Sequence, residues 1–196
     1  MSDEIEIMIT KLRALEDEIE TAIEAKKQKF FDEIEEGKAK FSKATIKSQQ
    51  ALKLGINKYF FQSNVATILS APFIYAMIIP FVIMDISLFF YQTICFSAWR
   101  VTKVKRSEYI IIDRHRLAYL NILEKLNCMY CSYGNGLVSY MREISSRTEQ
   151  YWCPIKHALK IKNPHERYNK FVEYGDAETY RRSSAQLREE LRKIEK

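Results

Sequence analysis

The feature that most constrains this chain is one long apolar segment near its middle. Between Val65 and Trp99 nearly every residue is apolar, and Asp85 is the single acidic residue from Lys38 to Ser107. About 20 helical residues cross the hydrocarbon core of a bilayer, so this segment is too long for one upright span and slightly short for two. The sequence therefore predicts a membrane protein with lipids among its partners.

Two arrangements of this segment fit the pattern. In the first, a helical hairpin turns near Pro80 to Asp85, where proline removes a helical hydrogen bond and a carboxylate is costly in lipid. In the second, one tilted helix is kinked by Pro72 and Pro80, and Asp85 faces a lumen as a pore-lining carboxylate or faces a subunit interface. Basic residues at both ends of the segment favour the hairpin, with both flanks on the cytoplasmic side.

The positive charge of the chain is local. The formal net charge is +6, although the first thirty-seven residues are strongly acidic. The basic residues that flank the apolar segment are Lys38, Lys40, Lys43, Lys47, Lys53, Lys58, Arg100, Lys103, Lys105 and Arg106. They suit the anionic lipid of a cytoplasmic leaflet better than a nucleic-acid partner, which is the less favoured interpretation. The acidic amino terminus also lacks the pattern of a cleavable signal peptide.

The first residues predict an amphipathic helix. Apolar residues recur at alternating steps of three and four, and acidic residues lie between them. The apolar positions are Ile5, Met8, Leu12, Leu15, Ile19 and Ala22. The register then shifts near Lys26, and the continued apolar line consists of Ile23, Phe30, Ile34 and Phe41. This seam is compatible with a coiled coil that forms a homo-oligomer and equally with a helix that folds back on its own chain.

Cysteine and histidine spacing predicts a metal site in the carboxyl-terminal region. Cys128 and Cys131 form a C-x2-C pair, and Cys153 and His157 form a C-x3-H pair. Three thiolates and one imidazole are a tetrahedral ligand set that zinc favours. Gly134 and Gly136 are expected to break the chain after the first pair, and Pro154 to start a helix at the second. A closed shell of this kind is structural, because it leaves no open position for water.

Three alternatives stay open for these residues: no metal with buried free cysteines, a redox or iron–sulfur centre, and a catalytic metal. Charged residues near the ligands could orient them or act as an acid–base set, although ordinary charges on neighbouring helices are favoured. These are His115, Glu143, Arg147 and Glu149. The common nucleotide-binding, metalloprotease and hydrolase motifs are missing, so the sequence leans against an enzyme without excluding one.

The sequence thus predicts a mainly α-helical chain in four parts. They are an acidic-then-basic coiled-coil arm at residues 1–58, a transmembrane or re-entrant segment at 59–99, a small helical Cys/His domain at 100–176, and a polar helix at 177–196. The expected function is that of a homo-oligomeric or partner-binding membrane module with a cytosolic zinc-stabilised helical domain. The alternatives are an oligomeric pore or effector and a membrane-tethered metalloenzyme.

The motif from Asp113 to Ala158, with its C-x2-C and W-C-P-I-K-H elements, resembles a family of small bacterial membrane proteins. The similarity extends from about Pro72 to Arg181 and includes "APFIYAMIIPFVIMD" and "FVEYGDAETYR". It implies a bacterial source and a membrane-associated chain with a cysteine/histidine region. Together with the basic flanks, the acidic amino terminus and the thiol-rich carboxyl-terminal region, this predicts an inner-membrane location with both terminal regions in the cytoplasm. It implies no activity, and no functional residue is carried over from it.

Overall fold

The computed structural model describes residues 2–27, 33–35, 38–62 and 64–194. It confirms the mainly helical prediction and contains one long apolar helix. The chain divides into two compact units, of which the first comprises Met1–Gly55 with Arg116–Asn121. The second comprises Ile56–His115 with Ile122–Lys196.

The first unit begins with α1, Ser2–Lys27. An antiparallel pair of short strands follows, β1 (Glu33–Glu35) and β2 (Lys38–Lys40), in which Ile34 is opposite Ala39. Helix α2, Lys43–Ala51, starts where the Ser42 hydroxyl accepts a hydrogen bond from the Thr45 N–H, as a serine cap does. The predicted continuation of the first helix through Ile34 is therefore wrong, because that residue lies in a strand. Phe30 lies outside the described residues.

The apolar segment of the second unit forms one 35-residue helix, Val65–Trp99. It consists of α4 (Val65–Ala76), α5 (Ile78–Tyr91), a π-helical turn (Gln92–Phe96) and α6 (Ser97–Trp99), and α3 (Ile56–Gln62) precedes it. The predicted hairpin turn between Pro80 and Asp85 is wrong. Pro80 lies in the first turn of α5, where a missing N–H is tolerated, so the helix continues past it.

Helix α8, Ile122–Trp152, packs beside this apolar helix and runs in the same direction. Near its start Asn127 accepts a hydrogen bond from the Tyr75 hydroxyl. In its middle Gly134 contacts Phe81, and near its end Tyr151 stacks on Trp99 with ring centroids 4.9 Å apart. The two helices therefore remain neighbours over most of their lengths.

The predicted glycine turn is also wrong, since both glycines lie inside α8. A Cβ on Gly134 would be 2.8 Å from the Phe81 ring, and a Cβ on Gly136 would be 2.6 Å from the carbonyl oxygen of Tyr109. These distances are too short for side chains. The glycines allow neighbouring segments to approach α8 closely, which is a recognised use of this residue.

The rest of the second unit folds around α8. Helix α7 (Arg106–Tyr109) packs on its middle, while α9 (Ala177–Arg192) packs along its later turns. Single 3₁₀ turns are formed by Arg114–Arg116 and Glu166–Lys170. The core contains Phe96, Val101, Val104, Leu137, Tyr140, Ile144 and Leu191. The predicted terminal helix is confirmed, and it contributes buried Leu191 to this core.

Candidate functional site: the long apolar helix and its polar neighbours

The long apolar helix has one face that the protein leaves uncovered. Large apolar side chains on it recur at steps of three and four residues in α5, which places them on one side of a helix. Exposed residues on this side include Val65, Leu69, Phe73, Ile79, Ile83, Ile86, Phe90 and Ile94. We call this set the lipid-side stripe. Its side chains are between 53% and 78% exposed, so the described residues of the second unit do not bury them.

The opposite side of the same helix packs against the rest of the second unit. Its side chains recur at the same steps, displaced by about half a turn from the lipid-side stripe. They are Phe81, Asp85, Leu88, Gln92, Phe96 and Trp99. Both polar side chains of this set, Asp85 and Gln92, lie on this packed side, where each has partners.

Asp85 is engaged by two side chains from other elements. Its Oδ2 atom is 2.7 Å from Nη2 of Arg106 and 3.0 Å from the Tyr133 hydroxyl, and the Arg106 Nε atom donates to Oδ1 at 3.0 Å. The Asp85 side chain is 16% exposed. This ion pair attaches the start of α7 to the apolar helix, and Asp85 lies within that helix and not in a turn. Its role as a pore-lining carboxylate stays a prediction.

Gln92 fixes the segment after the apolar helix. Its carbonyl oxygen accepts a hydrogen bond from the Val104 N–H at 3.0 Å, and its amide donates to the hydroxyl of Tyr140. The side chain is buried within the π-helical turn. Since a buried amide is costly unless it is paired, this arrangement fixes the register of the loop against the helix. Nothing in the local sequence indicates that Gln92 bonds to Val104 and Tyr140.

The structure does not assemble the four predicted zinc ligands. Cys128 and Cys131 lie within α8, whereas Cys153 follows the end of that helix. Twenty-one helical residues lie between Cys131 and Cys153, so 22 steps of 1.5 Å place them about 33 Å apart, and one metal ion cannot bridge that distance. Over the described ranges no group of three or more His, Cys, Asp or Glu side chains could hold a metal. Zinc binding by the chain stays a prediction, tested by elemental analysis.

The structure around Cys153 and His157 also differs from the predicted one. Pro154 does not start a helix: it is buried in an extended segment, in which its carbonyl oxygen accepts from the Val172 N–H. Burial, followed by the nearby Glu149 carboxylate, raises the pKa of the Cys153 thiol above its usual value of 9.0. His157 is exposed, and its backbone N–H donates to the Tyr168 hydroxyl at 2.6 Å. A protonated thiol is a weaker metal ligand than a thiolate.

The predicted set of charged neighbours is partly assembled, with partners of its own. Glu143 accepts from Arg147 and from Arg167, each at 2.7 Å, and Glu149 is 2.8 Å from Nε2 of His165. Burial raises the pKa of Glu143, but the hydrogen bonds from Arg167 and Arg147 outweigh it, so this pKa is below its usual value of 4.5. Arg167 and His165 thereby join α8 to the segment around the Glu166–Lys170 turn, whereas the Glu143–Arg147 pair lies within α8.

His115 lies apart from that set. It belongs to the 3₁₀ turn Arg114–Arg116, which precedes α8, and the ion pairs of Glu143 lie more than a dozen residues along that helix. The turn is attached to α8 through Arg114, whose Nη2 atom donates to the Ser132 hydroxyl at 2.8 Å. His115, Glu143, Arg147 and Glu149 thus form no shared shell around the proposed zinc ligands.

An apolar cavity that the sequence analysis missed lies beside the start of α8. It has a volume of about 370 Å³ and is lined mainly by α4 and α8. At one end the Asn127 side chain links two tyrosines, since its amide donates to the Tyr59 hydroxyl at 3.2 Å and its oxygen accepts from Tyr75. The polar groups at this end bond with one another, so the cavity offers a ligand mainly apolar contacts.

Comparison with known proteins adds no relative to these observations. A search of protein-family models, curated proteins and solved structures found no match to this chain. The resemblance to small bacterial membrane proteins therefore stays a prediction. The physical features of the chain carry the functional argument.

Proposed function

We propose that this protein is a membrane-bound interaction protein without an enzymatic role, located on the bacterial inner membrane. The observation that carries the proposal is the lipid-side stripe of the helix Val65–Trp99. Soluble monomers rarely expose a continuous apolar patch larger than a few hundred Å². A stripe of this length, on a helix long and apolar enough to cross a membrane, fits lipid.

The charge pattern supports an anionic lipid surface as the partner. The described part of the stripe carries no charged side chain, while Lys58 precedes the helix and Arg100, Lys103 and Lys105 follow it, all of them exposed. Each basic residue near an anionic surface contributes about 1 kcal/mol to binding. Apolar contact along the stripe and basic residues at its ends are thus compatible with the same surface.

Membrane extraction tests this proposal directly. We expect the full-length chain to pellet with cell membranes and to stay there in alkaline carbonate, because the attachment is mainly apolar. The same chain should co-sediment with vesicles that contain anionic lipid. Release by carbonate would show that charge alone holds the protein, and recovery of the protein in the soluble fraction would refute membrane attachment.

The partner-binding part of the proposal rests on α1. Its apolar seam is exposed in this chain, with Met8 65% and Leu15 53% exposed, and Ile7, Leu12, Ile19 and Ile23 are similarly exposed. Charged residues, most of them acidic, lie beside the seam, and an apolar seam with charged flanks is typical of helices that pair with a second helix. We therefore propose that α1 joins a second copy of this chain.

Changing Leu12 and Leu15 together to Asn tests self-association. Each change places a polar group in the seam, so the mass of the detergent-solubilised protein in light scattering should fall to that of a smaller assembly. Asp17→Asn, on the outer side of the same helix, is the matched control and should keep the mass of the wild type. An unchanged mass in both variants would show that α1 does not hold the assembly together.

A further inference from the structure

We infer that the long apolar helix lies in the plane of the membrane, half-embedded through its lipid-side stripe, rather than crossing the bilayer. This inference rests on the proposed membrane attachment and specifies its geometry. It follows from where the structure places charged side chains along the length of the helix.

The level of α8 relative to the apolar helix can be read from their contacts. Gly134 is in contact with Phe81, and the Tyr130 hydroxyl donates to the backbone oxygen of Ile74 at 2.6 Å. Ser132 lies between these two residues of α8, so it is opposite the part of the apolar helix just before Phe81. This level is close to the midpoint of Val65–Trp99.

A charged side chain lies at that level. Arg114 is exposed, and it donates to the Ser132 hydroxyl through Nη2 at 2.8 Å and through Nε at 3.2 Å. The Arg106–Asp85 ion pair is only a few residues further along the apolar helix, and the Arg106 side chain is half exposed. Arginine therefore occurs twice beside the central turns of the helix.

Any upright crossing would carry at least one of these groups into the hydrocarbon. A core of about 30 Å holds about 20 helical residues, so every 20-residue window of the 35-residue helix includes Met77, which is at the level of Arg114, or Asp85, which pairs with Arg106. An arginine costs about 2.5–3.5 kcal/mol at the centre of a bilayer, and here it would also bring the backbone of a loop into lipid.

The in-plane arrangement removes this conflict. The lipid-side stripe and the packed side chains lie on opposite sides of one helix, so the stripe can enter the lipid while α8, Arg106 and Arg114 face water. Helices of this kind sit about 5–10 Å into the boundary between headgroups and acyl chains. Their polar side is usually part of the same helix, whereas in this protein the packed α8 supplies it.

Depth measurements by spin labelling distinguish the two arrangements. Single cysteines replace Leu69, Ile83 and Ile94 in turn, in a chain whose four native cysteines are serine, and each nitroxide is measured in vesicles with one-third anionic lipid. The in-plane helix predicts equal, shallow depths at all three positions. A crossing helix predicts that the Ile83 label lies deepest, because about 38 Å of helix separates Leu69 from Ile94 and these two labels would lie near opposite surfaces. Asp113→Cys, on the water-facing side, should remain accessible to a nickel chelate.

Different outcomes of this experiment would refute the in-plane arrangement and the membrane attachment. A deep Ile83 label between two shallower labels would overturn the in-plane inference and leave membrane attachment intact, whereas three labels that sense only water would refute attachment itself. The wild-type chain provides a check that needs no variant: added to sealed vesicles, it should react with an impermeant amine reagent at both Lys58 and Lys103. Protection of one of these lysines until the vesicles are lysed would also overturn the inference.

Discussion

The two sides of the long apolar helix differ in what polar groups they carry, although both are rich in large apolar side chains. The packed side includes Asp85 and Gln92, and each is held by partners from neighbouring segments. The lipid-side stripe has neither charge nor amide, and nothing in the described chain covers it. In this helix, the charged and amide side chains mark the side that faces protein. The remaining side is the proposed lipid contact.

A charge on the lipid-side stripe should have the largest effect. Ile83→Asp places a carboxylate where the side chain is 61% exposed and, in the proposed arrangement, faces lipid. We expect vesicle binding to weaken by about 5- to 150-fold, since even a shallowly placed charge costs about 1–3 kcal/mol in lipid. The melting temperature in detergent should not change. Val138→Asp, at an exposed position of α8, is the matched control and should bind like the wild type.

The ion pairs of Glu143 should make the folding stability of the packed side depend on pH. Its pKa is depressed in the folded protein, so its stabilisation is present above the unfolded pKa and is lost as pH falls through the folded value. The wild type should lose stability as the pH falls below about 4.5, the usual pKa of glutamate. Glu143→Gln should be less stable at neutral pH by about 2 kcal/mol and should respond less to acid. Denaturant unfolding at several pH values checks this, and equal acid sensitivity in both proteins would contradict it.

Alanine substitutions at the two glycines of α8 test how closely neighbouring segments pack against this helix. Gly136→Ala meets backbone atoms of Tyr109 and Ile110, so it should destabilise by about 1–2 kcal/mol in spite of the better helix propensity of alanine. Gly134→Ala meets the ring of Phe81, which can move, and its cost should be offset by that propensity. Thermal melts of the two variants should therefore differ. Identical melting temperatures would show that the backbone of Tyr109 and Ile110 moves as easily as the ring of Phe81.

The Asp85–Arg106 pair should have the smallest effect. Asp85→Asn removes the charge but retains one acceptor, and Arg106 is half exposed, so water can take over part of its solvation. We expect a loss of about 1 kcal/mol in unfolding free energy and no change in vesicle binding. Tyr133→Phe, which removes the second partner of Asp85, should cost no more. A loss of vesicle binding in Asp85→Asn would place this carboxylate on the lipid-facing side and contradict the comparison.

The sequence predicts the helices of this protein better than their contacts. The apolar composition of Val65–Trp99 and the polar helix after Gly175 are local signals, and both helices are present. The hairpin prediction failed because proline in the first turn of a helix does not end it. The zinc prediction relied on a turn at Gly134 and Gly136, but packing against Phe81 and Tyr109 uses these glycines inside a continuous helix.

The polar partners could not be predicted for a different reason. Asp85 pairs with Arg106 across 21 residues, and Gln92 bonds to Tyr140 across 48, so no local spacing indicates either pair. Such pairs depend on which helices become neighbours. The charge-free stripe, by contrast, can be read from the sequence once the packed side of the helix is known.

Photochemical crosslinking to lipid tests the central claim most directly. The wild-type chain is bound to vesicles that contain a phospholipid with a photoreactive group in its acyl chain, and the crosslinked residues are identified by mass spectrometry. The account predicts lipid adducts on the lipid-side stripe, at residues such as Leu69, Ile83 and Phe90, and none on Leu88 or Phe96 of the packed side. Adducts distributed equally over both sides of the helix, or confined to α8, would contradict it.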